Sequence, residues 1–272
     1  MDERQFFSIR DGTLYFLDRP VKETPLWEES QDLLDKLKIP EDNEDMYFLS
    51  LVFTISSQRQ DFENTIKFVR DLFKIMREDP LDTYPNFFKA QVELPEFLYD
   101  LAQGWGLRWA YVNEQNRFES SLEYFGLRSL ERGVEKFRAH PQQKREEFVK
   151  SIKWMAHKTT SFWGLCLGID DLMTLDVHNY RQIAGLGIDI PGSYYNGERR
   201  SNGKKELRSP SGKEYVRIEQ ETMDLLRDYD VTGREATSLF WLAGAKAARS
   251  KKPLQQDLFN YDDPLPFESP FK

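Results

Sequence analysis

Apolar positions recur every three or four residues over most of the chain from Asn43 onward, the spacing of helices that bury one face. The run MYFLSLVFTISSQRQDFENTIKFVRDLFKIM, from Met46, predicts a helix or a helix pair. The same period recurs in PEFLYDLAQGWG, SLEYFGLRSLERGVEKF, KREEFVKSIKWM, TTSFWGLCLG, VHNYRQIAGLG, VRIEQETMDLLRDY and REATSLFWLAGAKAAR. Pro, Gly or Asp interrupts the pattern between them, as helix ends require. The expected body is mainly α.

The N-terminus reads differently. In QFFSIRDGTLYFL two short β-prone runs flank Asp11-Gly12, a pair that favours the left-handed backbone of a two-residue hairpin turn. We therefore expect a small N-terminal β-hairpin, with residues 1–42 forming a β-ribbon and linker that pack on a helical body over 43–250. From Ile190 to Glu214 the chain is rich in Gly, Ser, Asn and Arg without helical period, which predicts a long exposed loop or a floppy hairpin. The segment 251–272 contains four prolines and is expected to be an extended C-terminal tail.

Composition narrows the chemistry. No apolar run is long enough to cross a bilayer, and the first thirty residues lack the continuous apolar core of a signal peptide, so a cytoplasmic home is expected, nucleoid-associated in a prokaryote. Cys166 is the single cysteine, which excludes an internal disulfide, a four-cysteine zinc site and a self-contained iron–sulfur cluster. With His140, His157 and His178 as the histidines and no H-E-x-x-H, no metal is expected, and without G-x-G-x-x-G or a P-loop no nucleotide cofactor either. The formal charge of −8 opposes general phosphate affinity, so any nucleic-acid contact must be local. Residues 198–213 offer six basic side chains against two acidic ones, and Lys246, Arg249, Lys251 and Lys252 form a second cluster.

The segment richest in chemistry is KTTSFWGLCLGIDDLMTLDVH, in which Lys158 and Asp176 stand 18 positions apart. If Lys158 opens a helix ending near Gly168 and Asp176 caps the next one, the chain reverses and brings amine and carboxylate to one mouth. The positive end of a helix dipole and partial burial beside Phe162 and Trp163 would both favour the neutral amine, the form that attacks. An amine that attacks a sugar C1′ displaces the base and leaves a Schiff base, from which β-elimination breaks the strand while the carboxylate assists. The competing reading makes Asp176 a helix cap and Lys158 a surface lysine; the cap is compatible with both.

The phrase K-T-x(16)-D-x-H resembles the active-site signature of the helix-hairpin-helix DNA glycosylase superfamily, and GIDDLMTLDVH is especially similar to archaeal and bacterial 8-oxoguanine glycosylase/lyases. The resemblance implies two packed helical lobes with a DNA-binding cleft between them, Lys158 as Schiff-base nucleophile and Asp176 as activating aspartate. LSLVFTISSQRQDF and ATSLFWLAG resemble two further family segments, which implies that Gln58 reaches the flipped base and that Trp241 stacks on it. Lys153, His157 and His178 then become candidate DNA contacts. The implied partner is duplex DNA carrying a damaged base, and the implied activity is a DNA N-glycosylase and abasic-site lyase, with 8-oxoguanine the foremost lesion.

Two departures stand out. Ile152-Lys153-Trp154-Met155-Ala156-His157 lacks the glycines of the family hairpin, and Thr237 occupies the place of an aspartate four residues before the pocket tryptophan. A non-catalytic DNA-binding or clamp-tethered adaptor, or a glycosylase/lyase for another lesion such as an oxidised pyrimidine, remain alternatives. In the tail, Gln255-Gln256-Asp257-Leu258-Phe259 resembles the bacterial sliding-clamp peptide, with Gln255, Leu258 and Phe259 as its anchors.

Overall fold

The computed structural model describes residues 5–57, 62–78, 94–107, 111–126, 129–153, 155–199, 205–249 and 269–271. These are mainly helical with a small N-terminal antiparallel sheet, as the periodicity predicts. By backbone contacts the chain forms two compact units, one of Met1–Asp35 with Asp170–Pro266 and one of Lys36–Ile169 with Phe267–Lys272.

The first unit begins with strands β1 (Phe7–Arg10), β2 (Thr13–Phe16) and β3 (Arg19–Pro20). Arg10 pairs with Thr13 across Asp11 and Gly12, whose φ values of 47° and 73° give the two-residue turn that this dipeptide favours. β3 adds to β2, so the predicted hairpin is a three-stranded sheet. Helix α1 (Pro25–Leu37) follows, within the stretch read from sequence as ribbon and linker. Its first-turn proline matches the preset φ of a helix start, and the Trp27 amide donates to the Thr24 carbonyl at 3.0 Å.

The second unit is built from α2 (Glu44–Ser56), α3 (Phe62–Glu78), α4 (Leu94–Gly104), α5 (Tyr111–Gly126), α6 (Leu130–Ala139), α7 (Pro141–Ser151) and α8 (His157–Cys166). Asn43 caps α2 by accepting the Met46 amide at 2.9 Å. Every residue from Met46 to Ser56 is buried, so α2 is a central rod wrapped on all sides rather than a one-faced surface helix. In α3, by contrast, Thr65, Ile66, Phe68, Val69 and Leu72 form a single buried face. Trp163 of α8 is fully buried, packs against Phe125, Phe137 and Phe148 at 5.6 Å between ring centroids, and donates its indole N–H to Ser50 at 2.9 Å. Burial of each such ring contributes roughly 1.5–3 kcal/mol.

SLEYFGLRSLERGVEKF, which has one continuous period, is not one helix. α5 stops at Gly126, and Ser129 at φ 65° turns the chain and caps α6 by accepting the Arg132 amide. A Cβ on Gly133 would lie 2.8 Å from the Phe125 ring, so the close approach of the two helices admits glycine there.

The first unit resumes with α9 (Val177–Gly185), α10 (Gly212–Arg227) and α11 (Gly233–Arg249). Phe7 stacks edge-on against Phe240 of α11 at 4.7 Å, and the Gln182 side chain of α9 accepts the Phe6 amide at 2.9 Å, which fixes the sheet to the helices. Arg234 and Lys246 of α11 bind the Leu34 carbonyl and the Glu29 carboxylate of α1. Between Ile190 and Glu214 lie a turn at Gly192–Tyr194 and a two-residue antiparallel pair, β4 (Glu198–Arg199) with β5 (Lys205–Glu206).

Candidate active site

Lys158 occupies the first turn of α8, after Ala156, whose extended backbone starts the helix without any side-chain cap. Its side chain is exposed, and its ammonium group has no hydrogen bond or ion pair among the described residues. The expected partial burial beside Trp163 is therefore not found: that ring points into the core, five positions along the helix. What anchors this turn is α7. Glu146 meets the His157 ring at 2.7 Å, and the fully buried Arg145 donates to Ser161 at 2.9 Å.

The chain between α7 and α8 turns without glycine. Met155 donates its amide to the Ile152 carbonyl at 3.2 Å, and none of the described residues of this turn has positive φ. Lys153 projects from it as an exposed side chain, with its amide held by Ser120 at 2.7 Å. His157 is half-buried against Glu146, whereas Lys153 has no side-chain partner among the described residues.

Asp176 belongs to the other compact unit and caps α9. Its Oδ1 accepts the amides of His178 at 2.8 Å and Asn179 at 3.1 Å, and the Asn179 side chain accepts the Asp176 amide at 3.2 Å. This reciprocal cap accounts for one carboxylate oxygen; Oδ2 has no partner among the described residues. The cap therefore leaves one oxygen of this side chain uncommitted.

The segment Leu172–Leu175 that delivers Asp176 is buried and irregular, so its amides need partners other than a strand or helix ladder. Glu219 accepts the Met173 amide at 2.8 Å, Thr237 the Thr174 amide at 3.0 Å and Tyr215 the Leu175 amide at 3.0 Å. Tyr215 also donates to the Met173 carbonyl at 2.7 Å. Nothing local in the sequence marks Tyr215 or Glu219, and Thr237 stands out there only as a departure from the family pattern.

His178 is half-buried. A Cβ on Gly244 of α11 would lie 2.6 Å from the His178 Cβ, so the first turn of α9 is seated directly on α11. The Asn179 side chain donates to the Thr237 carbonyl of the same helix at 3.0 Å. Thr237, Trp241 and Gly244 follow a helical stripe, which puts half-buried Trp241 on the α11 face that carries the start of α9. Asp176, His178 and Trp241 thus belong to one unit. Lys153, His157 and Lys158 gather on the α7–α8 turn of the other. Gln58, Gln255, Leu258 and Phe259 lie outside the described residues.

Burial pushes the Tyr180 phenol far up, with Tyr215, Asp176, Tyr194 and Glu219 adding to the shift, so it stays a neutral hydrogen-bonding group. Among the described residues no cluster of His, Cys, Asp and Glu suits a metal ion, and no helix is long and apolar enough to cross a membrane.

No protein-family model matches the chain, and no curated protein does. Solved structures do. The 8-oxoguanine DNA glycosylase of Methanocaldococcus jannaschii superposes with a TM-score of 0.58 at 18% identity, over 86% of this chain and 92% of that one. The glycosylase/lyase of the same organism, bound to a 15mer DNA containing 8-oxoguanine, gives 0.58 at 18% over 86% and 96%. The 8-oxoguanine DNA glycosylase of Thermotoga maritima gives 0.55 at 20% over 85% and 95%. The chain has the fold of these glycosylases.

Proposed function

We propose that this protein is a bifunctional DNA glycosylase and abasic-site lyase that excises an oxidised purine, 8-oxoguanine foremost, with Lys158 as nucleophile and Asp176 as carboxylate partner. The amine attacks C1′, the N-glycosidic bond breaks, and its electron pair leaves with the base, which takes up a proton. Ring opening gives a Schiff base; loss of a C2′ proton then expels the 3′ phosphate, and water releases the lysine. Asp176 stabilises the cationic sugar and relays protons through Oδ2, which the cap leaves available.

The observation that carries this reading is the position of the amine. Lys158 is exposed and unpartnered among the described residues, at an uncapped helix start where backbone amides favour a phosphate nearby. Exposed Lys153 supplies a cation on the same turn, which compensates locally for an acidic chain. Trp241 is suited to stack on an everted base, and Gln58 and His178 complete the proposed DNA contacts. A cytoplasmic, nucleoid-associated setting follows from such a substrate.

Borohydride reduction in the presence of duplex containing 8-oxoguanine tests this directly. The wild type should become covalently joined to DNA and Lys158→Gln should not; a wild type that leaves the DNA unmodified, or a Lys158→Gln variant that still cross-links, refutes the assignment. A panel of oxidised purine and pyrimidine duplexes then ranks the lesions, and damaged-duplex binding without base release would mark an adaptor.

A further inference from the structure

We infer that Tyr215, Glu219 and Thr237 are positioning residues that set where the Asp176 carboxylate stands, an inference that rests on the role proposed above for Asp176. Loops usually run over the surface because their backbone groups need water. The stretch before Asp176 does the opposite: Leu172, Met173 and Leu175 are at most 1% exposed, and Thr174 is 8% exposed. Among the described residues, no backbone carbonyl accepts the amides of Met173, Thr174 or Leu175. Three consecutive amides instead end on three side chains, two from α10 and one from α11, and Asn179 takes the fourth, that of Asp176 itself.

The three acceptors sit one helical turn or more apart on two rigid elements, and each fixes a different point of the loop. Tyr215 bridges the Met173 carbonyl and the Leu175 amide, which locks the turn between them. Thr237 is itself tied by its hydroxyl to the Gly233 carbonyl at 2.9 Å, so its oxygen presents a lone pair to Thr174 in one orientation. Buried Glu219 adds a carboxyl acceptor, and its 2.8 Å bond to the Met173 amide is the shortest of the three. Asp176 follows directly, so a shift of this loop moves its carboxylate relative to a substrate, and a displacement near 1 Å costs up to about a hundredfold in rate.

The test is single-turnover base release from 8-oxoguanine duplex, with duplex affinity measured alongside. Tyr215→Phe and Thr237→Val should each lower the rate about tenfold or more while affinity stays within about twofold. Thr237→Ser, which keeps the oxygen, should recover most of the rate that Thr237→Val loses. Borohydride cross-linking through Lys158 should slow in parallel. Equal rates for the Val and Ser variants, or a loss confined to affinity or to folded fraction, overturn the inference while leaving the glycosylase reading intact. Inactive wild-type protein overturns both.

Discussion

Asp176 and Asn179 hold each other: the carboxylate Oδ1 accepts the Asn179 amide at 3.1 Å, and the Asn179 carbonyl oxygen accepts the Asp176 amide at 3.2 Å. The pair separates two functions that a substitution can tell apart. Asn is as good a helix cap as Asp. Asp176→Asn should therefore keep stability within a few tenths of a kcal/mol while base release falls sharply. Asp176→Ala should lose about 1 kcal/mol as well. Calorimetry beside single-turnover kinetics checks both; an Asn variant with undiminished turnover reduces Asp176 to a cap.

Gly244→Ala pits two effects against each other. Alanine is favoured over glycine in a helix interior by about 0.5–1 kcal/mol, but the new methyl would sit 2.6 Å from the His178 Cβ, an atom that moves only with its backbone. Overpacking of this kind costs about 1–3 kcal/mol, so the clash wins. Urea unfolding should show net destabilisation, and a gain in stability would mean that α9 and α11 are farther apart than described.

Arg145→Ala should be among the most damaging changes in its unit. The residue is fully buried and donates to Ser161 at 2.9 Å, one turn beyond Lys158. Truncation removes that bond, opens a cavity and loosens the base of α8, at a cost of about 3 kcal/mol. A melting temperature close to that of the wild type would contradict this.

Acid should remove one identifiable contribution. The Arg138 guanidinium donates to Asp42 at 2.7 Å and holds its carboxyl below the usual carboxylate range, while also binding the Leu167 carbonyl at 3.0 Å. A lowered folded-state pKa stabilises above the ordinary aspartate value, near about 4, and the gain is lost as pH falls through the lowered one. Asp42 is largely exposed, so the amount is about 0.5 kcal/mol after screening. Asp42→Asn should be slightly less stable than wild type at pH 7, with the gap closing on acidification; a gap that widens refutes the pairing.

What the sequence determined by itself was local. The Asp11-Gly12 turn follows from the backbone preferences of two adjacent residues, and the helices follow from apolar spacing within each segment. Asp176 as a cap follows from residue type beside a helical pattern, and Lys158 in a first turn from the same logic. These need contacts only a few residues long.

Tertiary structure decided the rest. SLEYFGLRSLERGVEKF has an unbroken helical period, but the chain turns at Ser129, and the second helix packs Gly133 closely against the Phe125 ring. α2 is buried on every side because helices on all its faces cover it, which a period cannot announce. Lys158 is exposed although aromatic residues follow it closely, since helix orientation sends Trp163 inward. The loop before Asp176 is held from 40, 46 and 63 residues away by Tyr215, Glu219 and Thr237. A hydrogen bond formed by folding two distant helices onto one loop leaves no spacing rule in the chain, and so only the folded protein reveals it.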